Sequence, residues 1–299
     1  MGKLSFKLPK FTIKQVLQIF SEVYDWGLLD INVPEAHKNT LGEGIKVAVI
    51  DSGKSEHFET INNTVSASNF SKSPYITDHL GHSSFVSGII AAEKNDQGVI
   101  GVAPKAKLYF AKAMDDSGSG DPSALVQAIN WAISQNVDIM SISAGMFFDF
   151  KPLRKVIQKA YQKNIIIVAA TGNTGLRNYD VAFPARYPEV IGVAAYDQRH
   201  KVAEFSSRGT NVSFAMPGVD IYSTYLNNQF CKLSGTSFST PIMSGVCALI
   251  LAKHRKEPDS TPCETPAQML EHLKKYAKKL NGQNETGFGN VDLKGIFAT

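Results

Sequence analysis

The chain has 299 residues, of which 43% are hydrophobic and 19% charged. That composition excludes a mostly disordered protein and suits one α/β domain of roughly 250 residues with short extensions. The net charge of +4 comes from 31 basic and 27 acidic residues spread along the chain, without the long basic run expected of a nucleic-acid or membrane binder.

Residues 1–21 are basic and amphipathic and contain Pro9. Ile13, Val16, Leu17 and Phe20 recur at helical spacing, which predicts a short helix over 12–20. The globular pattern starts near Trp26. IKVAVID (45–51) reads as a buried parallel strand, apolar and β-branched, ending on a polar residue. SSFVSGIIAAE (83–93) reads as a helix, KLYFAKAM (107–114) as a strand and PSALVQAINWAISQN (122–136) as a helix. VDIMSIS (137–143), IIIVAAT (165–171) and YPEVIGVAAYD (187–197) read as strands, with a helix at 153–164 between the first two. A long apolar helix follows at 236–253 and a polar one at 266–280, where Lys274, Lys275, Lys278 and Lys279 make a solvated face. This alternation predicts a mostly parallel central sheet with helices on both faces, in three layers. Ligands bind such sheets at the carboxyl ends of the strands, where Asp51, Ser143 and Asn173 lie.

The first 15 residues contain no apolar core and no small-residue cleavage site, so no secretory signal is expected. We find no apolar run of the length a membrane span needs. Cys231, Cys247 and Cys263 lack metal-ligand spacing and read as free thiols, which points to a reducing, cytoplasmic location.

Three segments can carry chemistry: VAVIDSG (47–53), DHLGHSSFVSG (78–88) and SGTSFSTPIMSG (234–245). Alone, Asp51 is a turn former, His82 a structural histidine and Ser237 a helix cap. Together, in the order Asp, His, Ser, the segments resemble the subtilase family, and the resemblance runs from about residue 22 to 292. It implies a subtilisin-like fold and a serine endopeptidase acting on peptides and proteins. Asp51, His82 and Ser237 would be its triad, and Asn173, in VAATGNTG, its side-chain oxyanion donor. The chain has His82-Ser83-Ser84-Phe85 where His-Gly-Thr-His is usual, keeping the first histidine, and it has Phe238 where methionine usually follows the nucleophile. Those departures keep open a second reading, a weakened pseudoprotease that binds peptides.

The resemblance also implies a groove with Ser119 and Gly120 on one edge and Ser143, Ala144 and Gly145 on the other; a flexible SGSG loop is the alternative. EKNDQGVIGVAP (93–104) resembles the family's calcium loop. Asn95 would give its side chain, Glu93, Gln97 and Val99 their carbonyls, and Glu59 and Glu22 further oxygens; the alternative is a solvated turn. The short arm of residues 1–21 ahead of a peptidase domain at 22–299 is most like the intracellular subtilisins. It implies a zymogen blocked by Lys7-Leu8-Pro9-Lys10-Phe11, and a possible homodimer; a disordered tail is the alternative.

Overall fold

The computed structural model describes residues 4–8, 13, 16–17, 21–177, 181–257, 263–280 and 282–298. Two short strands come first, β1 (Phe6–Lys7) and β2 (Val16–Leu17). Helices α1 (Trp26–Asp30) and α2 (Val33–Ala36) lead into β3 (Lys46–Asp51), α3 (Phe58–Ile61), β4 (Thr64–Asn69), α4 (His82–Ala91) and β5 (Lys107–Lys112). Then come β6 (Ser119–Gly120), α5 (Pro122–Ser134), β7 (Ile139–Ile142), α6 (Lys151–Gln162) and β8 (Ile166–Ala170). The chain goes on through β9 (Ile191–Tyr196), β10 (Phe214–Pro217), β11 (Ile221–Thr224), β12 (Phe230–Leu233), α7 (Thr236–Lys256) and α8 (Pro266–Lys275).

Seven of these strands form one parallel sheet in the order β10-β9-β8-β7-β3-β5-β4. Their side chains alternate between two cores. Val47, Val49, Leu108, Phe110, Ile166 and Val168 face the layer of α4 and α7. Ala48, Ile50, Tyr109, Ala111, Ile167 and Ala169 face the layer of α5 and α6. Burial on both faces is why these strands read as continuous apolar runs rather than alternating ones. The three-layer α/β architecture is the one expected.

The crossover order puts Asn173 (after β8), Ser143 (after β7) and Asp51 (end of β3) at the carboxyl ends of neighbouring strands. Residues far apart in sequence thus share one edge of the sheet.

Three expectations are corrected. Val16–Leu17 is a strand and not part of a helix: it pairs antiparallel with Phe230–Cys231, extending the β11–β12 hairpin to three strands. A nine-residue helix is marginal in water, and the free edge of β12 offers better hydrogen bonding. Most of 12–20, and Pro9, Lys10 and Phe11 of the arm motif, lie outside the described residues. Helix α8 stops at Lys275 because Ala277–Lys278 pairs with Asn290–Val291. Finally, α7 is long and apolar enough to cross a bilayer by length and composition, although no such run was expected; here it is a core helix, buried against β7, β8, β9 and α4.

Candidate active site

Asp51 ends β3, and His82 opens α4. Both are buried, and His82 Nδ1 lies 2.7 Å from Asp51 Oδ1. A carboxylate can only accept, so this contact holds the imidazole with its proton on Nδ1 and leaves Nε2 as the basic nitrogen. The backbone N–H of Ser52 donates to the same oxygen at 2.7 Å.

Gly81 precedes the helix with φ of +85°, and a Cβ there would come within 2.2 Å of the Tyr225 ring. Only glycine fits that close approach in a left-handed conformation.

Ser237 is the second residue of α7. Its hydroxyl donates to the Ser143 carbonyl at 3.1 Å, and the Ser143 hydroxyl donates to the Ser237 carbonyl at 2.8 Å. The second bond follows from Pro241. Proline has no N–H to return to the carbonyl four residues back, so Ser237 C=O is left open inside the helix and Ser143 takes it. The helix that carries the serine is thereby tied to the end of β7.

Asn173 Oδ1 accepts from the N–H of Thr236 at 3.0 Å and from its hydroxyl at 2.8 Å. With the oxygen so occupied, the amide nitrogen is the donor left for a ligand beside Ser237. The Asn173 turn is braced from behind: Ser207 N–H donates to the Gly172 carbonyl at 2.8 Å, and Gly175 N–H to the Phe205 carbonyl at 2.8 Å.

Ser143, Ala144, Gly145, Asn173 and Ser237 line one cleft, and Lys7 stands on its wall. Ser119 and Gly120 form β6, but β6 is already paired. Phe6 aligns with Gly120 and Lys7 with Ser119 in antiparallel register, and Leu8 N–H donates to the Gly118 carbonyl at 2.9 Å. Phe6 is 2% exposed, with its ring over Gly120.

Residues 42–290 match the family described as the subtilase family. The chain belongs to the subtilase family.

This subtilase is 39% identical over 302 residues to the minor extracellular protease Epr of Bacillus subtilis, covering 98% of the chain and 45% of that protein. It is 37% identical to a thermostable alkaline protease of Halalkalibacterium halodurans over 272 residues, 91% of the chain and 73% of the relative. Against Subtilisin Savinase of Lederbergia lenta it is 36% identical over 270 residues, 90% of the chain and 97% of the relative. It is a serine endopeptidase of the subtilisin type.

The loop expected to hold calcium is ordered by the predicted residues. Glu22 accepts from the N–H groups of Asn95 and Asp96 at 2.7 and 3.1 Å. Asn95 donates its amide to Glu59 Oε2 at 2.9 Å, and its side-chain oxygen accepts from Gln97 N–H at 3.2 Å. Glu93 receives the amide of Asn62 at 3.2 Å, and Val99 pairs with Val23. Among the described residues no three His, Cys, Asp or Glu side chains gather as a metal centre. Yet the fully buried Glu59 keeps Oε1 without a partner, and a Cβ on Gly98 would sit 2.1 Å from it. Burial pushes the Glu59 carboxyl up to about 7, with Glu22 and Glu93 adding to the rise. An orphaned oxygen in an amide- and carbonyl-rich loop fits a hard cation.

Sequence reasoning did not single out three features of the site. One is Asp78, although an Asp shortly before a helix start is a capping signal. Another is Phe147, half exposed on the wall of the cleft. The third is the contact between Phe85 and Phe238, noted only as two separate departures.

Proposed function

We propose that Asp51, His82 and Ser237 act as the catalytic triad of this subtilase and that Asn173 completes its oxyanion hole. The observation that carries this reading is the buried Asp51–His82 pair at 2.7 Å, its imidazole 5.5 Å from the ring of Phe238, the residue after Ser237, while Thr236, the residue before it, orients Asn173.

A substrate enters as a strand between residues 118–120 and 143–145. Ser237 Oγ attacks the scissile carbonyl and gives its proton to His82 Nε2. The carbonyl π pair moves onto oxygen, where Asn173 and the Ser237 N–H donate to it. Asp51 stabilises the imidazolium. His82 then passes the proton to the leaving amine as the C–N bond breaks, leaving an acyl-Ser237 ester. Water, deprotonated by His82, reverses the sequence and frees the acid.

In the same proposal, residues 1–21 form an inhibitory propeptide. The pairing of Phe6 and Lys7 with β6 supports it, because that strand occupies the place a substrate needs. Pro9, which follows Leu8 in the sequence, has no N–H with which to continue the ladder. We further propose a cytoplasmic setting, supported by three buried thiols without disulfides. Bound calcium would supply only a fixed positive charge, remote from the chemistry. Glu22, Glu59, Asn95 and the carbonyls of Glu93, Gln97 and Val99 would hold it and keep the loop closed.

The test is hydrolysis of a chromogenic peptide by the full chain, wild type against Ser237→Ala, with mass spectrometry of the N-terminus over time. Wild-type hydrolysis that follows loss of the arm supports the reading. Peptide binding without hydrolysis or labelling of Ser237 by a phosphonylating agent would favour the pseudoprotease instead.

A further inference from the structure

A second buried carboxylate sits beside the triad and takes no part in the steps above. Asp78 is 6% exposed and lies four residues before His82. Its Oδ1 accepts from Ser52 Oγ at 2.9 Å and from the N–H groups of Leu80 and Gly81 at 3.0 Å each. Its Oδ2 accepts from the N–H and the hydroxyl of Ser84, both at 2.8 Å. Ser52 directly follows Asp51, and its oxygen also accepts from Ser83 N–H at 3.1 Å. One carboxylate therefore touches both halves of the Asp51–His82 pair, the end of β3 through Ser52 and the first turn of α4 through Ser84.

The local sequence explains why the task falls to Asp78. Gly81, next to the helix, has no side chain with which to cap it, and the Tyr225 ring forbids one. The open N–H groups of the first turn need an acceptor from further back, and a carboxylate there also suits the positive end of the helix dipole. The backbone leading into Asp78 is held as well. The fully buried Lys112, aligned with Asp51 across β3 and β5, donates from Nζ to the Thr77 carbonyl at 2.9 Å.

We infer that Asp78 is a positioning residue for the triad, setting the Asp51–His82 geometry by clamping the end of β3 to the start of α4. It touches no reacting atom. Its effect is on where the imidazole stands, and small displacements of a catalytic group are costly. The inference rests on the proposed role of the triad.

The experiment compares Asp78→Asn, Ser52→Ala and Thr265→Ala in the full chain. Thr265 caps α8 far from the site through Gln268, so its variant reports capping alone. Each protein is incubated until peptide hydrolysis reaches a constant rate. Competent sites are then counted with a phosphonylating agent, so that slow arm removal lowers the count and not kcat per site. The expected result is a fall in kcat of roughly 10- to 100-fold for Asp78→Asn and Ser52→Ala, with KM within about twofold of wild type. Thr265→Ala should lower Tm and leave kcat unmoved. If Asp78→Asn does not fold, Ser52→Ala decides, since it leaves the donors from Leu80, Gly81 and Ser84 in place. Folded Ser52→Ala with wild-type kcat, or a fall no larger than that of Thr265→Ala, would overturn the inference. A wild type without Ser237-dependent hydrolysis would instead overturn the triad reading, and this inference with it.

Discussion

The rings of Phe85 and Phe238 meet with centroids 4.7 Å apart, and Phe238 in turn lies 5.5 Å from the His82 imidazole. Phe85 stands on α4 three residues after the histidine, and Phe238 on α7 directly after the serine. Two departures from the family pattern, separate in sequence, are therefore one apolar wall joining the helices that carry His82 and Ser237. The wall is dry: Phe85 is 0% and Phe238 1% exposed.

Truncating either ring should cost stability first. Phe85→Ala and Phe238→Ala are each expected to lose about 3–5 kcal/mol, as for other buried phenylalanines. The double variant should show a coupling of about 0.5–1.5 kcal/mol, the usual value for an aromatic pair. Denaturant unfolding in a Ser237→Ala background, which avoids self-digestion, measures both. Strict additivity would show that the wall does not act as a unit.

Asn173→Ala should act on the chemical step. Removing the corresponding donor from a subtilisin costs about 100- to 1000-fold in kcat, and a fall of that size with little change in KM is expected here. Steady-state kinetics on a chromogenic peptide gives both constants.

Phe6→Ala should shorten the latency of the full chain. The ring is the most buried part of the described arm, and truncating a buried phenylalanine removes about 3 kcal/mol or more from whatever it anchors. Activity should appear sooner, with the final rate unchanged. A time course started by dilution into substrate reads this, and an unaltered lag would count against the arm as the block.

Glu59→Gln should abolish the response to calcium. At the proposed site, calcium at 100 times its Kd would add about 2.7 kcal/mol of stability. The Tm of the Ser237→Ala protein with and without a chelator should therefore differ, and the difference should vanish when Glu59 is also replaced. Equal calcium shifts with and without Glu59 would move the ion elsewhere.

The three thiols should be silent in the folded protein. Burial pushes Cys231 up to about 12, raises Cys263 to about 11 with Glu264 adding to the shift, and raises Cys247 further still. Because the thiolate is the reactive form, a disulfide reagent at pH 8 should label none of them until denaturant is added. Rapid labelling of a native cysteine would contradict the burial described.

The family of this protein was legible in its sequence. Asp51, His82, Ser237 and Asn173 each sit in a short local motif, at a strand end or a helix start, and such motifs survive as strings because neighbours in sequence build them. The alternation of apolar runs likewise determined the three-layer class, since burial on both faces of a parallel sheet leaves a local mark. What only the tertiary structure decided are the relationships across the chain. Val16 and Leu17 obey helical spacing yet form a strand, because the edge of β12, more than 200 residues away, offers hydrogen bonds that periodicity cannot report. Asp78 reads as a polar loop residue until folding brings Ser52 and Ser84 to the same carboxylate. Ser143 reads as a groove residue, and only the fold joins it to the carbonyl that Pro241 leaves open. Each of these depends on a partner supplied by another segment, and hydrogen-bonding groups reveal their partners only in three dimensions.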